Sequence, residues 1–368
     1  MHTETYMPQS FLLDYPLEKL LADPERILFL DIETTGFTAK SSFLYIIGCA
    51  YFENSTLHTI QWMAESYEQE RDLLEAFFQF ASRFRCLVHF NGNNFDIPYL
   101  QQKCIRYALP YSFDDFEGID LYKRISPYKF FVKLPNCKQK TIEQYLGYER
   151  EDAYTGSELA GVYQEYVQNP TELAKDSLLL HNQEDLLGMF RILPILAYYD
   201  IFNKPVKVKK VQASSYTDYT GRRRQELIMK LALPTPLPVP VSSSANGCYF
   251  RGEGDTASLR VPIVEEELKY FYANYKDYYY LPEEDIALHK SVAGFVDKAH
   301  RIQASAATCY TRKYSQYLPQ WEPLFTPFFK RDYKSKELFF ELTDELKKDK
   351  PAFHLYAGHV LDILSASL

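Results

Sequence analysis

The six cysteines of this chain (Cys49, Cys86, Cys104, Cys137, Cys248 and Cys309) never form a Cys-x-x-Cys pair. Their spacing excludes zinc ribbons and cysteine-held iron–sulfur clusters and leaves reduced, buried thiols. No apolar stretch is long enough to cross a bilayer, so no membrane role is expected. Residues 1–20 hold Glu4, Asp14 and Glu18 against one base, Lys19, which does not read as a leader and gives a cytoplasmic expectation. There is no internal repeat.

What is present is a folded chain with an uneven charge. At 368 residues and 46% hydrophobic content it can bury one large core or two ordinary ones. The net charge of -8 divides into -12 over residues 1–200 and +4 over residues 201–368. An acidic half beside a mildly basic half suits a protein that holds cations in one place and a polyanion in another.

The first half alternates between periods of two and of 3.6 residues. Strands are expected at 27–31, 45–52 and 57–63, a helix at 67–83, a strand at 86–90, and helices at 97–109 and 173–199. Three strands before the first helix imply an antiparallel meander, and the strand after that helix completes a mixed sheet with helices on both faces. Near residue 200 the texture changes. A basic run from Lys204 to Arg224 and the alternating Pro234, Pro236, Pro238 and Pro240 read as a linker over 204–245. The domains expected are therefore 1–203, then this linker, then an accessory unit over 246–368 with helices at 283–300 and 336–347.

Three segments carry chemistry. Residues 29–37 read Phe-Leu-Asp-Ile-Glu-Thr-Thr-Gly-Phe, so Asp31 and Glu33 share one face of a buried strand while Leu30 and Ile32 face the core. After the strand at 86–90 come Asn91, Asn94, Phe95 and Asp96, the last opening a helix. His181 and Asp185, four residues apart on a long helix, lie about 40° apart around its axis and reach one site. Glu184 falls off that face and is expected in solvent. Asp120 is left outside the site, because Asp120 and Arg124 at helical spacing read as a salt bridge.

In this order and on these elements, Asp31, Glu33, Asp96 and Asp185 with His181 resemble the DEDD family of 3′→5′ exonucleases. That resemblance covers residues 27–200. It is most specific toward the YprB-like branch, through Asp120-Leu121 with Arg124, Cys137-Lys-Gln-Lys-Thr-Ile-Glu-Gln-Tyr-Leu-Gly147, Arg150, Asp152, Gly156 and His181-Asn182 with Asp185. The two large divisions of the superfamily place a Tyr four residues, or a His five, before the last Asp. This chain has a His four before it, as the YprB-like pattern does.

The resemblance implies an α/β chain: a ribonuclease-H-like mixed β-sheet flanked by helices, with a smaller C-terminal α+β domain. It implies two Mg2+ or Mn2+ ions held by the four acids, with Asp31 bridging both, Glu33 and Asp185 completing the site of the attacking water, and Asp96 acting mainly through water. His181 would orient or deprotonate that water. Thr34, Thr35 and Gly36 would seat the 3′ end of a strand, Phe37 would wedge against a base, and Asn91 and Asn94 would shape the same pocket. The partners implied are nucleic acid, DNA ahead of RNA, and a helicase.

The second half says less. Tyrosines in 270–280 beside basic residues can stack on bases or fill a core, and the run from Lys204 to Arg224 can meet phosphates or simply solubilise. The function expected is a metal-dependent 3′→5′ exonuclease on single-stranded DNA in repair or processing, with the second half guiding the strand. An RNA exonuclease and an inactive ribonuclease-H-like binding scaffold are the alternatives.

Overall fold

The computed structural model describes residues 1–8, 13–150 and 156–366, in two compact units, Met1–Tyr199 and Asp200–Leu368. Asp152 of the sequence motif lies outside the described residues.

The first unit holds strands β1 (His2–Tyr6), β2 (Ile27–Thr34), β3 (Leu44–Glu53), β4 (Thr56–Met63), β5 (Cys86–His89) and β6 (Glu117–Asp120). Its helices are α1 (Glu70–Ala81), α2 (Asp96–Arg106), the short α3 (Leu121–Ile125) and α4 (Lys129–Val132), α5 (Gln139–Tyr145), α6 (Gly156–Gln168) and α7 (Glu172–Ile192), with α8 (Leu196–Asn203) at its end. The strands form one sheet in the order β1-β4-β3-β2-β5-β6, antiparallel from β1 to β2 and parallel from β2 to β6. Central β2 is apolar on both faces because helices cover both. Leu28, Leu30 and Ile32 pack with Leu73, Leu74 and Phe77 of α1 and with Tyr99 and Leu100 of α2. On the opposite face Phe29 meets Phe190 of α7, with ring centroids 3.9 Å apart. Asp31 and Glu33 share the parity of Phe29 along the strand.

The apolar positions 73, 74, 77, 78 and 81 make one buried stripe and account for α1. Thr171 caps α7, accepting the Ala174 amide at 3.3 Å. The helix expected over 173–199 ends at Ile192, because Pro194 cannot continue its hydrogen bonding and a 3-10 turn over Leu193–Ile195 intervenes.

The second unit contains β7 (Lys207–Thr217), β8 (Arg223–Ala245), β9 (Cys248–Phe271), β10 (Tyr278–Leu281), β11 (Ile286–His289), α9 (Lys290–Ala293), β12 (Ile302–Gln303), β13 (Tyr310–Gln320), β14 (Phe328–Phe329), β15 (Leu338–Glu341) and α10 (Lys350–Ala366). One sheet runs β14-β15-β13-β9-β8-β7, and a smaller one runs β11-β10-β12.

The expected linker over 204–245 is therefore wrong, since β7 and β8 belong to the main sheet. The alternation of prolines was a strand's alternation. Leu233, Thr235 and Leu237 are buried while Pro236, Pro238 and Pro240 face outward, and β8 loses its regular pairing with β9 between Ala232 and Val241, where those residues have no amide to offer. Residue 246 is not a boundary either. Asn246 (φ 52°) and Gly247 (φ 78°) form the two-residue turn of the β8–β9 hairpin, as an Asn-Gly pair between strands favours.

Two expected helices are also absent. Residues 283–300 turn at Asp285 (φ 52°) and make β11 and only the short α9, leaving Phe295 94% exposed. Residues 336–347 supply β15, whose Phe339 and Phe340 pair with β13. The tyrosine-rich stretch is used internally: Tyr280 and Tyr310 both donate to Asp285, and Tyr272 stacks on Tyr278.

Candidate active site

The sheet places its polar centre where β2 ends. Beyond Glu33 the β2–β3 register shifts, and Thr34–Phe37 leave the sheet in a turn fixed by several bonds. Thr34 Oγ1 donates to the Gly36 carbonyl at 2.9 Å, the Phe43 amide donates to Thr35 Oγ1 at 2.9 Å, and Ser42 Oγ joins Gly36 O and Tyr99 Oη at 2.8 Å each. Beneath this loop lies a buried ion pair that the sequence reading missed. Lys103 Nζ is 2.5 Å from Glu70 Oε1 and donates to the Ser42 carbonyl, while Glu70 also accepts the Leu44 amide and the Tyr107 hydroxyl. Four elements or loops are tied at one point, and the turn is thereby held.

The cavity beside this turn has a volume of about 540 Å³, and Asp31, Glu33, His181 and Asp185 line it together with Thr34–Phe37 and Phe95. The ligand atoms of Glu33, His181 and Asp185 all lie within 4.8 Å of one another. His181 Nε2 stands 3.8 Å from Glu33 Oε1 and 3.5 Å from Asp185 Oδ2. Phe37 is 89% exposed and meets Phe95 edge to face, with centroids 6.1 Å apart, at the rim.

Asp96 is buried at the start of α2 and acts on the cavity acids through charge. Asn91 and Asn94 bond each other at 2.7 Å and do not line the cavity among the described residues, contrary to the pocket role expected of them. Asp120 is not paired with Arg124. Its carboxylate accepts the amides of Asn91, Asn93 and Lys123, fixing the loop that leads to Asp96, while Arg124 lies over the Tyr199 ring. Glu184 is buried and held by Arg191 at 2.7 Å, not solvated, because α7 is covered on most sides.

Three groups that hold the acids were not recognised from sequence. Asn182 donates to Asp31 Oδ2 at 2.7 Å and is itself held by Gln61 of β4, whose Nε2 donates to Asn182 Oδ1 at 2.8 Å. Gly48 of β3 leaves the room for it: a Cβ there would fall 1.9 Å from Asn182 Oδ1. Gln139 of α5 donates to the Asp185 carbonyl at 2.8 Å. Arg150, with its side chain 6% exposed, contacts both Glu143 oxygens at 2.5 and 2.7 Å and places Nη1 2.7 Å from Asp185 Oδ1. Burial would drive that guanidinium toward neutrality, but Glu143 and Asp185 hold it charged. Gln139, Arg150 and Asn182 fall within the family pattern, but nothing local marks what they hold, because each contact depends on how α5 and α7 meet the sheet.

The electrostatics show how strongly these acids act on one another. Burial pushes the Asp31 carboxyl well above the usual carboxylate range, and Asp185, Glu33 and Asp96 push it further against the Asn182 bond. Burial raises Asp96 to about 7, opposed by the amides of Asp96 and Ile32 and reinforced by Asp120 and Asp185. Hard oxygens crowded in this way, with one imidazole among them, are a donor set for a small divalent cation, which would relieve their mutual repulsion.

Residues 28–197 match the family model RNase_H_2, described as RNase_H superfamily. This segment is a ribonuclease-H-like domain, a mixed sheet flanked by helices, and a further sheet unit follows it in the chain. DNA polymerase 1 of Sulfurisphaera ohwakuensis is 26% identical over an alignment of 122 residues that covers 29% of this chain and 14% of the polymerase. Among solved structures, the family B DNA polymerase of Pyrobaculum calidifontis is similar at 17% identity and a TM-score of 0.39, over 48% of this chain and 26% of that one. A zinc-bound complex of E. coli exonuclease I with single-stranded DNA is similar at 14% identity and a TM-score of 0.27, over 57% and 55%. Among the described residues, no helix is long and apolar enough to cross a membrane.

Proposed function

We propose that the first unit is a metal-dependent 3′→5′ exonuclease that releases nucleotides from single-stranded DNA. The observation that carries this reading is the carboxylate cluster, buried at Glu33 and Asp96 and half-buried at Asp31 and Asp185, on β2, α2 and α7 of a ribonuclease-H-like domain. Asp31, Glu33, Asp96 and Asp185 would hold Mg2+ or Mn2+. Two such ions, when bound, would polarise the phosphate and lower the pKa of an attacking water.

The chain's own groups supply the rest. His181 Nε2 faces the cavity carboxylates and is the atom that would take the proton of that water. Asn182, fixed by Gln61, holds Asp31 in one orientation. The Thr34–Gly36 turn, already bonded to Phe43 and Ser42, would offer a rigid seat for the terminal sugar, and the exposed Phe37 ring beside Phe95 would stack on the last base. None of these contacts chooses between deoxyribose and ribose, so the DNA preference and the helicase partner rest on the family resemblance alone.

One observation favours a second reading. Asp185 already carries an internal cation, Arg150, which would suit an inactive binding scaffold. An end-labelled oligonucleotide digested in Mg2+ or Mn2+ separates the two. The proposal expects stepwise loss from the 3′ end that disappears in Asp31→Ala; tight binding with no release in either metal would establish the scaffold. His181→Ala is expected to cut turnover sharply while metal binding, measured by calorimetry, largely persists.

A further inference from the structure

A strongly basic concavity lies within the second unit. Lys207, Lys209 and Lys210 of β7 converge with Lys347, Lys348 and Lys350 at the start of α10 around a groove of about 700 Å³, and no acid lines it. Two stretches far apart in sequence build it. The β7–β8 register shifts between Val208 and Lys210, so Lys209 is an extra residue in the strand. Strict alternation would send adjacent lysines to opposite faces; the bulge breaks it, and Lys209 and Lys210 both line the groove.

The pairing of these cations is the second observation. Several cations elsewhere in the unit have carboxylates: Lys204 with Asp200 at 2.9 Å, Arg224 with Asp218 at 2.9 Å, Lys313 with Glu341 at 2.7 Å and Arg331 with Glu266 at 2.8 Å. In the groove only Lys347 has one, Asp344 at 3.0 Å, and Asp349 is engaged in capping α10 through the Ala352 amide. Among the described residues, Lys207, Lys209, Lys210, Lys348 and Lys350 make no ion pair. Edge-strand lysines that discourage sheet-to-sheet pairing explain those on β7, which is an edge strand, but not Lys348 of the 3-10 turn before α10 and Lys350 at its first residue, which meet them.

We infer that this groove is a binding site for the phosphodiester backbone of a single nucleic-acid strand. A row of unneutralised ammonium groups in a concave channel suits a flexible linear polyanion. A flat bilayer fits poorly, because Phe353 of the lining is buried and offers nothing to insert. The inference rests on the nucleic-acid reading of the chain and assigns it a grip independent of the chemistry.

The test is equilibrium binding of fluorescent oligo(dT) and oligo(rU) to full-length protein carrying Asp31→Asn, in EDTA, across a salt series. Replacing Lys207, Lys209, Lys348 and Lys350 by Gln is expected to weaken binding at least about tenfold and to reduce the slope of log Kd against log salt by about 3, from roughly 0.7 per lost phosphate contact. A matched variant, Lys276, Lys298, Lys334 and Lys336 to Gln, carries the same change in net charge, and thermal melts confirm that both variants fold. Unchanged binding by the groove variant, or an equal loss in the matched variant, overturns the inference. So does a loss confined to anionic phosphatidylserine vesicles. Equal effects on oligo(dT) and oligo(rU) support a backbone grip shared by both. Failure of the exonuclease reading is seen separately, as no nucleotide release from any substrate by the protein with Asp31 intact.

Discussion

In the first unit Glu33, Asp96, Glu70, Lys103 and Glu143 are buried, and nearly every one has a partner chosen by the fold. In the second unit the lysines of β7 and of the start of α10 stand in solvent, and most of them have none. The difference shows where charge can carry information. Buried charge must be matched, so the fold supplies its partners from neighbouring elements. Exposed charge can go unmatched at little cost, and it points to a ligand only where the fold gathers it against a shaped surface.

The comparison breaks most sharply if the buried charges of the first unit prove dispensable. Lys103→Met leaves Glu70 buried with only the Leu44 amide and the Tyr107 hydroxyl, and is expected to destabilise the protein by about 3–5 kcal/mol in urea unfolding. The double variant Lys103→Met with Glu70→Leu should recover much of that loss; a double variant as unstable as the single one would show that shape, not charge pairing, was at stake.

A sharper test addresses the acids themselves. Asn182→Leu removes the donor to Asp31 and one of the two acceptors of Gln61 Nε2, the Leu179 carbonyl being the other, with an expected loss of about 10–100-fold in Mn2+ affinity measured by calorimetry. Gly48→Ala should move affinity in the same direction, since its Cβ would displace Asn182.

The smallest effect belongs to the second unit, whose hairpin depends on backbone geometry. Gly247→Ala places a Cβ no closer than 3.7 Å to Pro262 but forces a positive φ on alanine, for an expected cost of about 1 kcal/mol in thermal unfolding. No change in stability would mean that the turn can rearrange.

The same contrast explains what could be read in advance. The shared faces of Asp31 with Glu33 and of His181 with Asp185 were legible from strand and helix periods, while Asp96 joined them through the family resemblance. Asn182, Gln61, Gln139 and Arg150 were not, because their roles exist only once α7 and α5 are set against the sheet. In the second half, the outward prolines of β8 imitated a linker, although Asn246-Gly247 marked a hairpin plainly. Lys347 read as the end of an expected helix over 336–347 until the fold set it, with Lys348 and Lys350, beside Lys207–Lys210.

The central claim is that the carboxylates at the end of β2 are a cation site. Calorimetric titration of the purified protein with Mn2+, beside Asp31→Asn, tests it most directly. The account predicts saturable binding that is lost or weakened at least about tenfold in the variant, while far-ultraviolet circular dichroism stays unchanged. Equal Mn2+ binding by the two proteins, or none by either, would contradict it.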